Sequence, residues 1–234
     1  MSKEKFKVYE GVFDQYTIGI LENLKRRKYY DELGKPIKMG KEAVVYSAKK
    51  DYETRAIKLY RVTSANFKKI SEYIQRDFRF KNVKGNVRKA IMMWVSKEFR
   101  NLLLCHKAGM NVPIPYKFME NVLIMEYIDG GMLKDTKIEN PKEFFHLLLE
   151  QLYLMKNEAK LIHGDLSEFN ILVRDQVPVI IDLGQAMTIK NEDDFNNLKD
   201  LYERDIKIVV NYFNRIYNLK ITEEEVFAFL EKKD

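Results

Sequence analysis

Residues 161–184 form the most informative stretch of this sequence. It reads LIHGDLSEFNILVRDQVPVIIDLG and places the apolar runs Ile-Leu-Val and Val-Ile-Ile on either side of a polar Arg-Asp-Gln segment. Short apolar runs separated by a few turn-forming residues are typical of a β-hairpin. Asp165 and Asn170 precede the hairpin, and Asp182 directly follows it. The stretch therefore predicts two carboxylates and one carboxamide on loops at the ends of buried strands.

These polar groups suit a nucleotide triphosphate with bound magnesium. Mg²⁺ prefers a few hard oxygen ligands and keeps water and phosphate oxygens in the rest of its shell. Asn170 and Asp182 supply such oxygens, with Mn²⁺ as the alternative ion, and Asp165 is left to receive or steer the proton of an attacking hydroxyl. The spacing from His163 to Asn170, followed by Asp-Leu-Gly, matches the protein-kinase signature. A polar hairpin with loop acids is the competing interpretation, and the combination of residues favours phosphoryl transfer.

The composition indicates a globular protein. Of its 234 residues, 46% are apolar and 12% aromatic, enough to bury a core in one large domain or in two lobes. The single cysteine, Cys105, excludes an internal disulfide, fits a reducing compartment and stands in apolar sequence typical of an inert packed thiol. No signal peptide and no bilayer-spanning apolar run is visible, so we expect a cytoplasmic protein that does not bind membranes.

The net charge of +6 is unevenly distributed. Residues 76–100 carry eight Lys or Arg against two acids, whereas residues 191–234 carry seven against eleven. This asymmetry predicts a polyanionic partner for the first half of the chain, with a solvated surface as the alternative. Aromatic residues also alternate with cations over residues 66–90, a composition used by proteins that bind single-stranded RNA.

Two upstream lysines are candidates for holding phosphates. A turn at Gly40 leads into a β-like run, and Lys41 in that turn supplies charge for a phosphate. Residues 54–61 alternate as a strand, and their Ala-Ile-Lys matches the last three residues of the kinase Val-Ala-Ile-Lys motif. Lys58 is therefore predicted to hold the α- and β-phosphates. The competing interpretation is an edge-strand lysine whose charge reaches water.

A helix is predicted over residues 87–106, with an acid inside its apolar stripe. Glu98 lies four residues from Trp94 and four from Leu102, on the face that the stripe would bury. An inward carboxylate needs a partner, because burying it unpaired is costly. We expect that partner to be Lys58, as in the kinase Lys–Glu pair, with Arg100 as the competing partner.

The remaining elements predict a hinge and three further helices. The strand over residues 122–127 runs into Asp-Gly-Gly, and adenine could bond the main chain of Glu126 and Ile128 there. An ordinary strand-to-loop exit is the alternative. Helical periodicity extends over three segments: residues 14–33, 142–158 and 200–217.

In this order the elements resemble the protein-kinase fold, and several motifs resemble the RIO family of atypical serine/threonine kinases, most of all its first, archaeal-type subfamily. The motifs are Gly40-Lys41-Glu42-Ala43, residues 79–89, Lys97–Leu102 and His163–Asn170. The resemblance implies an α+β, bilobal kinase-like fold with an antiparallel-sheet N-lobe and a mainly helical, truncated C-lobe. The expected domains are a helical extension, the N-lobe and the C-lobe, over residues 1–33, 34–128 and 129–234.

The resemblance also implies a function and residue roles. It implies a kinase or ATPase that uses ATP and Mg²⁺ in maturation of the small ribosomal subunit, with ribosomal RNA and protein rather than DNA as partner. Carried over by residue, Lys58 contacts phosphate, Glu98 positions it, and Glu126 and Ile128 flank adenine. The implied catalytic residues are Asp165, as acid/base, and Asp182, as phosphoacceptor. The implied metal ligands are Asn170 and Asp182.

Some departures from ordinary kinases leave the acceptor open. Ser167 stands where those enzymes carry a lysine, no Ala-Pro-Glu follows Asp182, and only 52 residues (234 minus 182) remain for a peptide-binding lobe. ATP hydrolysis is therefore as well supported as transfer to a protein. Two functions compete with these: a small-molecule kinase of the aminoglycoside-phosphotransferase type, and a ribosome-assembly factor that binds ATP without turning it over.

Overall fold

The computed structural model describes residues 14–62 and 87–231, which divide into two compact units. The first unit holds residues 14–62, 87–99 and 115–127, and the second holds residues 100–114 and 128–231. Most of residues 66–90, where aromatic residues alternate with cations, lies outside the described residues. The predicted domain boundaries after residues 33 and 128 stay a prediction.

An antiparallel sheet of five strands forms the body of the first unit, in the order β1-β2-β3-β5-β4. The strands are β1 Glu32–Met39, β2 Ala43–Lys50, β3 Glu53–Tyr60, β4 Pro115–Met119 and β5 Val122–Glu126. Because β3 is hydrogen-bonded to β2 on one side and to β5 on the other, its register is set twice. The side chains of β3, the middle strand of the five, are therefore firmly positioned.

Helix α1, Gln15–Arg26, packs its apolar face into the core of this sheet. Asp14 caps the helix by accepting a hydrogen bond from the Thr17 backbone N–H at 2.8 Å. Leu24 is buried in one cluster with Tyr46 and Ile124 of the strands. The predicted apolar face of this helix is confirmed.

The helix predicted over residues 14–33 is too long, because strand β1 begins at Glu32. Arg27 caps the helix and Lys28 adopts a left-handed φ of 61°, which ends the helical path. Only Leu33 of β1 is buried, so the strand has no alternating pattern to be recognised in the sequence. Pro36 is tolerated because β1 is an edge strand, where one backbone N–H needs no ladder partner.

Helix α2, Val87–Lys107, closely matches the prediction for residues 87–106. The predicted apolar stripe is buried in full: Ile91, Trp94, Val95, Leu102 and Cys105. Residues 87–99 of the helix belong to the first unit, and its remaining residues belong to the second. The predicted position of Glu98 on a buried face is therefore confirmed.

Helices dominate the second unit. They are α3 Pro141–Asn157, α4 Glu192–Tyr217 and α5 Glu223–Leu230. Two small antiparallel sheets accompany them, one formed by β6 Gly131–Met132, β8 Ile171–Arg174 and β9 Val177–Ile180, the other by β7 Leu161–Ile162 and β10 Met187–Thr188. Strands β8 and β9 are the predicted hairpin. The expected α+β class, a sheet followed by a mainly helical part, is confirmed.

Helix α4 begins eight residues before the predicted start at residue 200, at Glu192. Asn191 caps it by accepting a hydrogen bond from the Asp194 N–H at 2.8 Å, and three acids fill its first turn, where they suit the helix dipole. The buried residues of the helix begin only at Tyr202. Its first turns are solvated, so apolar periodicity could not indicate them.

Within residues 14–62 and 87–231, none of the helices combines the length and the apolar character needed to cross a bilayer.

We expect the thiol of Cys105 to be almost unreactive in the folded protein. Burial raises the pKa of this thiol to about 12, so the thiol stays protonated in the folded protein at pH 8. The stability that this shift contributes is fully present below the ordinary thiol value of about 8.5 and is lost as the pH rises from there towards 12. Labelling by a disulfide reagent at pH 8, followed spectrophotometrically, should be slow for native protein and fast in urea. Rapid labelling of the native protein would contradict this expectation.

Candidate active site

Lys58 occupies the centre of the first unit's sheet. It lies on β3 opposite Val45 of β2 and Leu123 of β5, and only 7% of the residue is exposed. A lysine is almost never buried to this degree unless it is paired. The alternative interpretation of Lys58 as an edge-strand lysine is therefore wrong, because strands flank β3 on both sides.

Glu98 of α2 is the partner of Lys58, as predicted. The Lys58 Nζ lies 2.8 Å from Glu98 Oε1, and Glu98 is 1% exposed. A charged hydrogen bond at this distance is among the stronger contacts that a buried carboxylate can form. The acid found inside the apolar stripe of the sequence is therefore explained by an ion pair with β3.

Tyr60 is a third member of this cluster that the sequence reasoning did not single out. Its hydroxyl donates to Oε2 of the same Glu98 carboxylate that Lys58 bonds at Oε1. The Lys58 Nζ also lies 5.1 Å from the centroid of the Tyr60 ring. The signal was available, since Tyr60 follows Lys58 by two residues and shares its strand face.

The other residues predicted to contact the nucleotide, Lys41, Glu126 and Ile128, differ in their exposure. Lys41 is exposed in the turn between β1 and β2, which Gly40 closes by donating its N–H to the Ala43 carbonyl at 2.9 Å. Among the residues that the structure describes, none forms a hydrogen bond or ion pair with the Lys41 side chain. Glu126 is half-buried at the end of β5 in the first unit, and Ile128 is buried in the second.

In the second unit, hydrogen bonds join the segments that carry Asp165, Asn170 and Asp182. Asn170 donates its side-chain Nδ2 to the Asp165 carbonyl at 2.8 Å, which orients the carboxamide. The Asn170 carbonyl accepts the N–H of Ile181 at 3.0 Å, so the residue before Asp182 is joined to Asn170. Asp165 and Asp182 are exposed, and Asn170 is buried. The structure thus brings these three predicted residues into one hydrogen-bonded set of loops.

Asp182 has an unusual backbone conformation. Its φ is 64°, in the left-handed region that few residues other than glycine adopt. The Nε2 of buried His163 lies 3.1 Å from the carbonyl oxygen of Ile181. This contact restrains Ile181, the residue directly before Asp182. A strained conformation that surrounding contacts maintain is typical of functional loops.

Asp205 of α4 anchors the loop that carries Asp165. It accepts the backbone N–H of Gly164 at 2.7 Å and that of Leu166 at 3.2 Å. Burial raises the pKa of Asp205, while nearby His163 and the two N–H groups act in the opposite direction. The carboxylate therefore holds the backbone on both sides of Asp165.

Arg204 and Gln185 complete the surroundings of this loop. Arg204 donates Nη2 to the Gly164 carbonyl at 2.5 Å, and Gln185 donates Nε2 to Asp165 Oδ2 at 2.8 Å. Sequence reasoning missed Asp205, Arg204 and Gln185. Asp205 could have been found, because it is an acid on the apolar face of a predicted helix, as Glu98 is. No local pattern indicated Gln185.

The family model of the RIO domain matches residues 44–226 of this chain. The chain belongs to the RIO family. The RIO-type serine/threonine-protein kinase Rio1 of Methanocaldococcus jannaschii is 37% identical over 217 residues, which cover 91% of this chain and 73% of that protein. Rio1 of Haloferax volcanii is 35% identical over 218 residues, with the same coverage. The predicted resemblance to the archaeal-type RIO subfamily is confirmed.

More distant similarities are also to RIO proteins. Human serine/threonine-protein kinase RIO1 is 32% identical over 231 residues, which cover 94% of this chain and 40% of the human protein. The crystal structure of the Rio2 kinase-ADP/Mg²⁺-phosphoaspartate complex from Chaetomium thermophilum superposes with a TM-score of 0.70 at 22% identity, covering 91% of this chain and 66% of that one. At this identity the likeness establishes the RIO kinase fold alone.

Replacing Tyr60 with Phe should destabilise the RIO domain. The change removes the donor to Glu98 Oε2 inside a buried cluster, which should cost about 1–3 kcal/mol of unfolding free energy. The measurement is the urea concentration at the unfolding midpoint, with an unchanged dependence of the unfolding free energy on urea concentration. Tyr52→Phe is the matched control, because Tyr52 is fully exposed and should change nothing. Equal stability of the two variants would show that the hydroxyl contact does not support Glu98.

Replacing Asp205 with Ala should loosen the Asp165 loop. Two backbone N–H groups would lose their acceptor, at about 1–3 kcal/mol for each one left unsatisfied. Asp205→Asn, which keeps one acceptor oxygen, should lose less. Hydrogen exchange at Gly164 and Leu166 would report the effect directly. Asp200→Ala, an exposed change on the same helix, is the control, and equal exchange in both Ala variants would refute the anchor.

Proposed function

We propose that this chain is an atypical serine/threonine kinase or ATPase that uses ATP and Mg²⁺. The observation that carries the proposal is the buried pair of Lys58 and Glu98. Burying an ion pair often adds little stability compared with apolar residues of similar volume. A functional role therefore explains this pair better than a contribution to folding stability. In kinases the same pairing holds a lysine ready for phosphates. Membership of the RIO family, whose curated relatives are named kinases, supports the proposal.

The donor groups of the second unit fit a magnesium ion. The Asn170 Nδ2 is engaged by the Asp165 carbonyl, which leaves its Oδ1 as the hard oxygen that Mg²⁺ prefers, and Asp182 offers an exposed carboxylate. We assign Asn170 and Asp182 as the residues that would hold the ion. When bound, Mg²⁺ would neutralise phosphate charge during transfer.

The chain's own residues would then act as follows. Lys58, held by Glu98, would bond the α- and β-phosphates, and Lys41 would add charge from the turn before β2. The main chain at Glu126 and Ile128 would bond adenine. Asp165 would take the proton of the attacking hydroxyl or water.

Asp182 is proposed as a phosphoacceptor as well as a metal ligand. The related Rio2 kinase was crystallised as a phosphoaspartate complex with ADP and Mg²⁺, and a carboxylate can act as the nucleophile in phosphoryl transfer. The exposure of Asp182 and its strained backbone support this role. Reductive trapping during turnover should modify Asp182, and a trapped protein modified elsewhere would count against it.

The proposed physiological partner is the precursor of the small ribosomal subunit. The net charge of +6 and the excess of cations over residues 76–100 support binding to an RNA-rich particle. Cosedimentation with ribosomal particles at increasing salt would test this. Turnover with small-molecule acceptors but no affinity for the particles would favour an aminoglycoside-type kinase instead.

Asp165→Asn should abolish most turnover while leaving ATP bound. Losing a general base typically lowers the rate about 10²- to 10⁴-fold, whereas phosphate contacts from other residues would persist. Release of labelled phosphate gives the rate, and calorimetry with Mg²⁺ gives the ATP affinity. Asp175→Asn is the matched control, because Asp175 is exposed in the turn of the hairpin.

Three results would contradict the proposal. Absence of ATP binding by the wild-type chain in the presence of Mg²⁺ would remove its basis. Wild-type turnover that Asp165→Asn does not reduce would indicate a catalytic centre elsewhere. Binding without any turnover would favour the assembly factor that holds ATP without hydrolysing it.

A further inference from the structure

The segment after β9 in the second unit forms a tight turn that Asn101 holds closed. The Ala186 N–H donates to the Leu183 carbonyl at 3.2 Å, which closes the turn around Gly184 and Gln185. Asn101 of α2, completely buried, donates Nδ2 to both ends of the turn, at 2.8 Å to Leu183 and 3.0 Å to Ala186. A buried carboxamide that bonds both carbonyls resists opening of the turn, because opening would leave polar groups unsatisfied.

The same turn packs against the Asp165 loop at Gly164. Gly164 has a φ of 74°, and a Cβ built on it would lie 3.4 Å from the Gln185 carbonyl oxygen. The N–H and carbonyl of Gly164 are bonded by Asp205 and Arg204, so this loop is itself held in place. The backbone of Gln185 is therefore held against the backbone of Gly164, which is itself held in place.

This arrangement delivers the Gln185 side chain to Asp165. Its Nε2 donates to Asp165 Oδ2 at 2.8 Å and so limits rotation of an exposed carboxylate. The same carboxamide also carries an acceptor, Oε1, which is bonded to the same carbon as the donor nitrogen. A carboxylate and a carboxamide held in this way present acceptors side by side.

We propose that Gln185 works with Asp165 to hold an attacking water, and so favours ATP hydrolysis over transfer to a serine hydroxyl. This inference rests on the proposed function. A water molecule has two protons to donate and a serine hydroxyl has one. One water proton would bond Asp165 and the other Gln185 Oε1, so the second acceptor gains a partner only when water is the nucleophile. Glutamines that orient an attacking water are known in other nucleotide hydrolases.

The hydrolytic step balances as follows. ADP leaves with the electron pair of the β–γ bridging bond when Asp182 takes the phosphoryl group, as proposed above. The water oxygen then forms a bond to that phosphorus, and the bond from the phosphorus to the Asp182 carboxylate oxygen breaks, leaving the electron pair on Asp182. One water proton passes to Asp165, and the other stays on the new phosphate oxygen, bonded to Gln185 Oε1. The products are ADP and inorganic phosphate.

The test is Gln185→Met in the full chain, which keeps side-chain length but removes the donor and the oxygen acceptor. Phosphate release and acid-stable phosphoserine on the protein itself are measured in the same reaction with labelled ATP and Mg²⁺, and ATP affinity is measured by calorimetry. We expect phosphate release to fall about tenfold or more. The ratio of phosphate released to phosphoserine should fall about fivefold or more, while ATP affinity stays within about twofold.

Two further variants complete the test. Gln185→Asn keeps the carboxamide but is one methylene shorter, so it should lose the contact to Asp165 and lower the ratio as Gln185→Met does. Gln15→Met makes the same chemical change at an exposed position on α1 and should leave the ratio unchanged.

An unchanged ratio in both Gln185 variants, with the wild type active, would overturn this inference and leave the proposed function intact. An equal fall in both products would also overturn it, because Gln185 would then orient Asp165 without selecting water. A wild-type chain that forms neither product would overturn the proposed function, and this inference with it.

Discussion

A carboxyl group is buried in each of the two units, and neither could lie there without fixed hydrogen-bond donors. Glu98 in the first unit is held by the ammonium of Lys58 and the hydroxyl of Tyr60, and Asp205 in the second is held by two backbone N–H groups. Removing a charge from water is so unfavourable that the donors must be in place whenever the carboxylate is buried. This requirement fixes α2 against β3 in one unit and the Asp165 loop against α4 in the other.

The two buried acids act on different groups, each within its own unit. Glu98 acts on a side chain, because it holds the Lys58 ammonium at a defined point on a central strand. Asp205 acts on the main chain and leaves the Asp165 side chain exposed. A buried anchor that bonds the backbone restricts the loop while leaving the Asp165 carboxylate exposed, as the acid–base role proposed for Asp165 requires.

Much of the candidate site could be predicted from the sequence because its signals are local. Asp165, Asn170 and Asp182 stand within one hairpin-containing stretch, where spacing along the chain determines proximity. The pairing of Lys58 with Glu98 joins distant residues, yet it was predictable, since an acid within an apolar stripe demands a cation and the strand offered one. The same reasoning applied to residues 200–217 would have found Asp205.

Other features had no signal of this kind. Strand β1 buries only Leu33, and the first turns of α4 bury nothing, so neither shows apolar periodicity. The α+β class, the hairpin, the candidate residues Asp165, Asn170 and Asp182 and the resemblance to the RIO family all followed from the sequence, because each depends on residue type and short-range spacing. Only the tertiary structure decided that Asn101 closes the turn at 183–186 and that Gln185 meets Asp165. Those contacts join residues separated by twenty or more positions, and a neutral carboxamide carries no charge or pattern that requires one particular partner.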